Sequence, residues 1–179
     1  MGEWIIHLHY LLMWKGFFMG KGIVHFRVDD RMLHGIVATA WVPEYKCTRA
    51  MVIDPASASN DLMRQSLKMA CPAGVALSVL APDKASENII AGKYAAQRVF
   101  VVCRKIEGAY ALFKAGVPMP QLNLGNVTQN TGEVIVLDKT VRVSLSEKAM
   151  LKEMADAGVT ITVRFTPQDS ETNIIDRLD

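Results

Sequence analysis

Little in this 179-residue chain points to redox, metal or nucleic-acid chemistry. Its three cysteines, Cys47, Cys71 and Cys103, are far apart and odd in number. They form neither a disulfide framework nor a Cys-x-x-Cys pair, and read as reduced, buried thiols of a cytosolic protein. Histidine is scarce as well: His7, His9, His25 and His34 are the whole set, and none joins acids or cysteines at metal-ligand spacing. No metal and no cofactor are expected. A formal charge of +2, with aromatics at 7% and no basic stripe between them, argues against a nucleic-acid partner. Neither a glycine-rich dinucleotide fingerprint nor a P-loop is present, and no Ser–His–acid set is evident. An unrelated small-molecule enzyme therefore has little support. No apolar run reaches the roughly 20 residues that cross a bilayer. The longest, residues 4–19, is broken by His7, His9 and Lys15. It lacks the basic leader and small-residue cleavage site of a secretory signal.

What the chain does contain is aliphatic. Half of its residues are apolar, carried by Val, Ile, Leu, Ala and Met, as in a buried parallel sheet with helices on its faces. Its length suits one domain. Short apolar runs at 23–28, 50–54, 75–80, 99–103, 121–124 and 160–165 read as strands. Between them lie segments of helical period at 33–45, 61–70, 83–91, 106–115 and 147–157, with Asn60 and Ser146 as N-caps of two of these. Residues 133–145 break the alternation and suggest a hairpin or an antiparallel edge, and 173–178 suggest a short last helix. The fold class is α/β: an open, mainly parallel central sheet, helices on both faces, and a short antiparallel edge. Ligand sites in such sheets gather at the carboxyl ends of strands where strand order reverses. The loops after Val28, Asp54, Cys103 and Leu124 should meet there. Gly125, in the last, reads chiefly as a turn needing positive φ.

The first of these loops is the most informative. It runs Arg27-Val28-Asp29-Asp30-Arg31-Met32-Leu33-His34-Gly35 and opens a helix. One imidazole thus sits between a strand and a helix N-terminus, flanked by two arginines. Imidazole is a competent nucleophile near neutral pH. Guanidinium groups and the first amides of a helix can neutralise phosphoryl oxygens. The bland alternative is a surface histidine with ordinary Asp turn chemistry at Asp29 and Asp30. Trp41 reads as core, and His25, inside the first strand, as a core or sheet residue.

This segment, followed by Val37 and Trp41, resembles the active-site signature of the mannose/fructose/sorbose-type IIB component of the bacterial phosphoenolpyruvate:sugar phosphotransferase system. Asn60-Asp61, the stretch from Lys68 to Gly74, Gly116-Val117-Pro118, the stretch from Leu122 to Asn126, that from Lys139 to Leu145, and Gly158-Val159 add support by their order. The resemblance spans about residues 22–179, which makes these one phosphotransferase domain. Residues 1–21 become an atypical extension, with Met19 as the natural start; a membrane-surface anchor is the alternative.

What the resemblance implies is a relay. A phosphohistidine on a IIA protein or domain donates its phosphoryl group to His34, which passes it to a sugar held by the membrane components IIC and IID. Arg31 is the expected phosphoryl-oxygen contact. Arg27 is expected to add charge or meet the partner, or else to be an exposed strand-end side chain. Asp29 and Asp30 would fix the loop or hold an arginine, Gly35 would allow close backbone approach, and Asn126 would support the loop. The carrier would be cytoplasmic and reach the inner face of the membrane through IIC and IID. Association into a homo-oligomer stays open. One departure stands out: Ile36 occupies the place where the family usually has Gln. It keeps open a second reading, a phosphorylatable regulatory module of the same fold that does not pass its phosphate to sugar.

Overall fold

The computed structural model describes residues 21–130 and 132–178. Its strands are β1 (Ile23–Asp29), β2 (Arg49–Ile53), β3 (Ala76–Leu80), β4 (Val99–Cys103), β5 (Gln121–Asn126), β6 (Ile135–Asp138), β7 (Val141–Val143), β8 (Thr160–Val163) and β9 (Thr172–Asn173). Seven of them form one sheet in the order β3-β2-β4-β1-β5-β8-β9. Every pair is parallel except β8 with β9. The hairpin suggested by residues 133–145 exists, but β6 and β7 form their own two-stranded antiparallel sheet. The antiparallel edge of the main sheet is β9 instead.

The first helix, α1, is a π-helical turn, Val37–Trp41, running into Val42–Glu44. After it come α2 (Pro55–Ala58), α3 (Asp61–Ala70), α4 (Pro82–Ile90), α5 (Ile106–Lys114) and α6 (Leu145–Asp156). Asn60 caps α3 as its position suggests, its side chain accepting from Met63 N at 3.1 Å. The cap of α6 is Ser144, not Ser146. Only Ser144 has a glutamate three residues on, and the reciprocal box closes with Glu147 N to Ser144 Oγ (3.2 Å) and Ser144 N to Glu147 Oε2 (2.7 Å). The expected last helix is only a 3₁₀ turn, Ile175–Arg177, because β9 takes residues 172 and 173. No helix among the described residues is long and apolar enough to cross a membrane.

Two apolar layers enclose the sheet. On one face Phe26, Val28, Val101, Leu122 and Leu124 pack beneath α4, α5 and α6. On the other, Val52, Phe100 and Val102 pack beneath α1 and α3, which contribute Val37, Trp41 and Leu67. Connections leaving β1 and β2 move toward β3, and those leaving β3, β4 and β5 move back toward β8. The reversal falls at β1, in the middle of the sheet. The loop carrying His34 therefore opens at the point where right-handed crossovers leave to opposite faces.

His25 is a core residue, as its place in a strand suggests. Its ring stacks on Trp41, Tyr45 and Phe100 at centroid distances of 5.0, 4.6 and 5.2 Å. Burial, then the charges of Arg27 and Arg164, lower its pKa to about 3, against an opposing hydrogen bond with Asn123. The folded chain thus keeps this imidazole neutral, while the unfolded chain protonates it below about pH 6.5. The stability it contributes is complete above pH 6.5 and is lost as pH falls toward 3. Between pH 7.5 and 5 this single group should cost roughly 2 kcal/mol. Urea unfolding of the wild type and of His25→Phe at both pH values tests this. The variant should lose roughly 2 kcal/mol less on acidification, and equal losses would refute the assignment.

Candidate functional site

The turn after β1 is built on two carboxylates. Asp29 ends β1, is fully buried, and accepts Met32 N at its carbonyl, 2.8 Å away. Met32 takes a φ of +58°, so the chain reverses sharply before His34. A helical residue follows directly at Gly35, where an added Cβ would meet nothing within 4 Å. The first amides of that helix have no intrahelical acceptor and face the loop. The neighbouring acid, Asp30, ties β1 to the loop after β5. Its Oδ1 accepts from Asn126 Nδ2 (2.5 Å), and its Oδ2 from Thr128 N (2.8 Å), Thr128 Oγ1 (3.1 Å) and Gln129 N (3.2 Å).

Asp29 is the hub of the site. Its Oδ1 accepts from Arg31 N (3.2 Å) and Arg31 Nε (3.4 Å), and lies 3.3 Å from His34 Nε2. The last contact is close but not aligned as a hydrogen bond, and Nε2 itself is buried. Its Oδ2 accepts from Arg27 Nη2 at 2.9 Å and Nε at 3.3 Å. Burial pushes this carboxyl up, but the His34 contact and the Arg27 guanidinium outweigh it and hold the group below its ordinary range. Asp29 is an anion in the folded chain.

The two arginines divide their work. Arg27 is completely buried, which corrects the expectation of an exposed strand-end side chain or one that meets a partner. Its five N–H groups make five bonds: two to Asp29, and one each to Asn123 Oδ1 (2.5 Å), Arg164 O (2.9 Å) and Phe165 O (3.2 Å). Its guanidinium carbon lies 4.8 Å from the Trp41 ring centroid. Gly125 makes room for this group. A Cβ there would fall 1.8 Å from the Arg27 guanidinium carbon, and Gly125 is not among the positive-φ residues, so close approach and not turn geometry fixes it as glycine. Arg31 is the opposite case, with its side chain 40% exposed. Its Nε touches Asp29 and its guanidinium lies 5.6 Å from the Phe165 ring centroid. Among the described residues neither of its terminal Nη groups carries a hydrogen bond.

His34 is 20% exposed on the same loop, between Arg31 and the helix start. With Nε2 buried against Asp29, solvent reaches the ring from its other side. The arrangement offers a partly exposed imidazole, a guanidinium whose terminal groups carry no hydrogen bond among the described residues, and orphan helix amides within one turn of chain. Such a set can receive and hold a phosphoryl group. Among the described residues, no three or more His, Cys, Asp or Glu side chains gather to hold a metal ion. Burial pushes the Cys47 thiol up to about 11 and raises Cys103 further, while Cys71, only half-buried, rises for the same reason.

Of the other loops expected here, the one after β2 gives Asp54, which caps α2 through Ser57 N (2.9 Å) and lies 3.4 Å from Arg104 at the end of β4. Both line a cleft of about 610 Å³ whose wall does not include His34. Three participants escape a reading of the sequence. Asn123 is a polar residue between Leu122 and Leu124. Arg164 and Phe165 follow β8 and lend their carbonyls to Arg27. Trp41 is core, as expected, but its Nε1 also donates to Phe165 O at 3.0 Å. A cation at the end of a late strand was the one available signal, the same that marks Arg27.

Comparison with known proteins bears on the family and the fold. The family model described as "PTS system sorbose subfamily IIB component" matches residues 23–179. A sorbose-specific EIIB component of Lacticaseibacillus casei is 28% identical over 153 residues, covering 86% of this chain and 93% of that protein. A mannose-specific EIIAB component of Escherichia coli strain K12 is 27% identical over 150 residues, 84% of this chain but 46% of that longer protein. The crystal structure of the IIBSor domain of the sorbose permease from Klebsiella pneumoniae superimposes with a TM-score of 0.81 at 25% identity, covering 87% of this chain and 95% of that one.

Proposed function

The chain belongs to the sorbose-subfamily IIB family of the phosphotransferase system, and from that premise we propose that His34 is its phosphoryl carrier. The observation that carries this reading is the shared loop. His34 and the unbonded Nη groups of Arg31 stand together on one exposed turn, held by the anionic Asp29. A IIA phosphohistidine is the donor. Its N–P bond breaks as a ring nitrogen of His34 bonds the phosphorus. The anionic Asp29 carboxylate, 3.3 Å from Nε2, favours the tautomer that carries its proton there, so Nδ1 presents the lone pair. Arg31 and the amides that open the helix take the charge of the transferred oxygens. A sugar hydroxyl held by IIC and IID then attacks the same phosphorus, His34 leaves, and the hydroxyl proton goes to solvent or to the membrane component.

The mannose-specific relative, longer and named EIIAB, supports close pairing of IIA and IIB functions. Residues 22–179 act as the single phosphotransferase domain, working at the cytoplasmic face of the membrane through IIC and IID. The assignment of residues 1–21 to an extension, and of Met19 to the start, lies outside the described residues apart from Lys21.

The test is incubation with phosphoenolpyruvate, the general phosphotransferase proteins and a mannose-type IIA, followed by intact mass at mildly alkaline pH. One acid-labile phosphoryl group should appear, and Arg31→Ala should acquire it at least about tenfold more slowly. No gain beside an active IIA would overturn the carrier reading. A phosphoryl group that forms but is never released to a sugar-loaded IIC/IID membrane would favour the regulatory module.

A further inference from the structure

Phe165 lies outside every motif that pointed to His34, yet it touches the one exposed arginine of the site. Its ring centroid is 5.6 Å from the Arg31 guanidinium carbon. The residue is also anchored through its backbone. Its own carbonyl accepts from Arg27 Nη2 (3.2 Å) and from Trp41 Nε1 (3.0 Å), and the preceding Arg164 carbonyl accepts from Arg27 Nη1 (2.9 Å). All three bonds originate in buried side chains of β1 and α1. Arg164 adds a cation over the opposite element, its guanidinium carbon 5.7 Å from the Trp41 ring centroid. The backbone under Phe165 is therefore fixed by the same guanidinium that fixes Asp29.

We propose that Phe165 is a positioning residue for phosphoryl transfer, a platform that seats the Arg31 guanidinium so that its Nη groups face the His34 ring. A free arginine side chain samples many rotamers, and each must be given up before it can bind a phosphoryl oxygen. Here Asp29 meets the Nε edge and the guanidinium carbon lies over the Phe165 ring. Two sides are thereby occupied, and the two terminal nitrogens are left for the ligand. Lysine has a single charged nitrogen and could not meet Asp29 through one edge while leaving two terminal donors free, so lysine at position 31 would not substitute.

The inference rests on the carrier reading, and its test separates the two. Phe165→Leu removes the ring, and Phe165→Tyr keeps it. In single-turnover phosphorylation by phospho-IIA, Phe165→Leu should lower the maximal rate roughly two- to fivefold, the usual range for one exposed cation–π contact. The half-saturating donor concentration should stay unchanged, and Phe165→Tyr should restore the rate. In an Arg31→Ala background the leucine change should have no further effect. A structural readout runs in parallel: the Arg31 Nε–H resonance should shift and exchange faster in Phe165→Leu, while that of Arg27 stays put. Wild-type rates in Phe165→Leu, or equal slowing with and without Arg31, would overturn the platform. If the wild type takes no phosphoryl group at all, the carrier reading falls, and the Nε–H measurement alone decides whether Phe165 seats Arg31.

Discussion

His34→Ala is expected to accept no phosphoryl group, while its unfolding midpoint stays close to that of the wild type. The argument starts from competition among nucleophiles. Of the four histidines, His25 is buried in an aromatic stack with its pKa lowered to about 3, and no donor protein can reach it. His7 and His9 lie outside the described residues and outside the matched family segment. The thiols are raised by burial and poorly nucleophilic. Stability should change by no more than about 1 kcal/mol, because the ring is partly exposed and Asp29 keeps Arg27 and the Arg31 amide as partners.

His34→Gln sharpens the test. Its amide can still face Asp29 and preserve the turn, but it carries no lone pair able to bond phosphorus. It should be as inactive as His34→Ala. Phosphate gain in either variant, located by mass spectrometry of peptides, would move the nucleophile to His7 or His9 and give the N-terminal segment a role that its sequence does not suggest.

What the sequence made legible was whatever depends on local pattern. Short apolar runs placed strands at 23–28 and 99–103, and period-3.6 apolarity the helix at 61–70, close to where they occur, since burial is a local property of side-chain spacing. The loop holding His34, and its place at the reversal of strand order, followed from the alternation of these elements. Roles that depend on contacts across the sheet were not legible. Arg27 and Arg31 look alike in the sequence, four residues apart around the same acids. Only the pleat, which turns residue 27 inward beneath Trp41, separates a buried strut from an exposed side chain. Gly125 shows the same limit. Turn chemistry and steric room both call for glycine, and the choice between them needs the position of a guanidinium 98 residues earlier in the chain. Ser144 is a different kind of miss: its glutamate at N3 was visible, and the capping box would have identified it.

The distinction between the arginines predicts opposite phenotypes. Arg31→Ala should slow transfer and leave stability nearly untouched, because an exposed side chain in a weak 3.4 Å contact contributes little. Arg27→Met should unfold far more easily, by about 3 to 5 kcal/mol, the usual cost of stripping one partner from a buried ion pair. The loss has two parts. The carboxylate of Asp29 is left without its main cation, and Asn123 Oδ1 and the Arg164 carbonyl lose the donor that met them, while the Phe165 carbonyl keeps only Trp41 Nε1. Arg27→Lys keeps the charge but cannot span four acceptors in a plane, so it should recover only part of the loss. Adding Asp29→Asn to Arg27→Met removes the uncompensated charge and should return some stability, yet it should not return transfer, because the groups that aim His34 and Arg31 are gone. Urea midpoints and single-turnover rates on these four proteins separate the two parts. An Arg27→Met variant as stable as the wild type would mean that the buried guanidinium does not hold the site together. One that is destabilised but transfers at the wild-type rate once folded would mean that His34 and Arg31 are aimed by the loop alone.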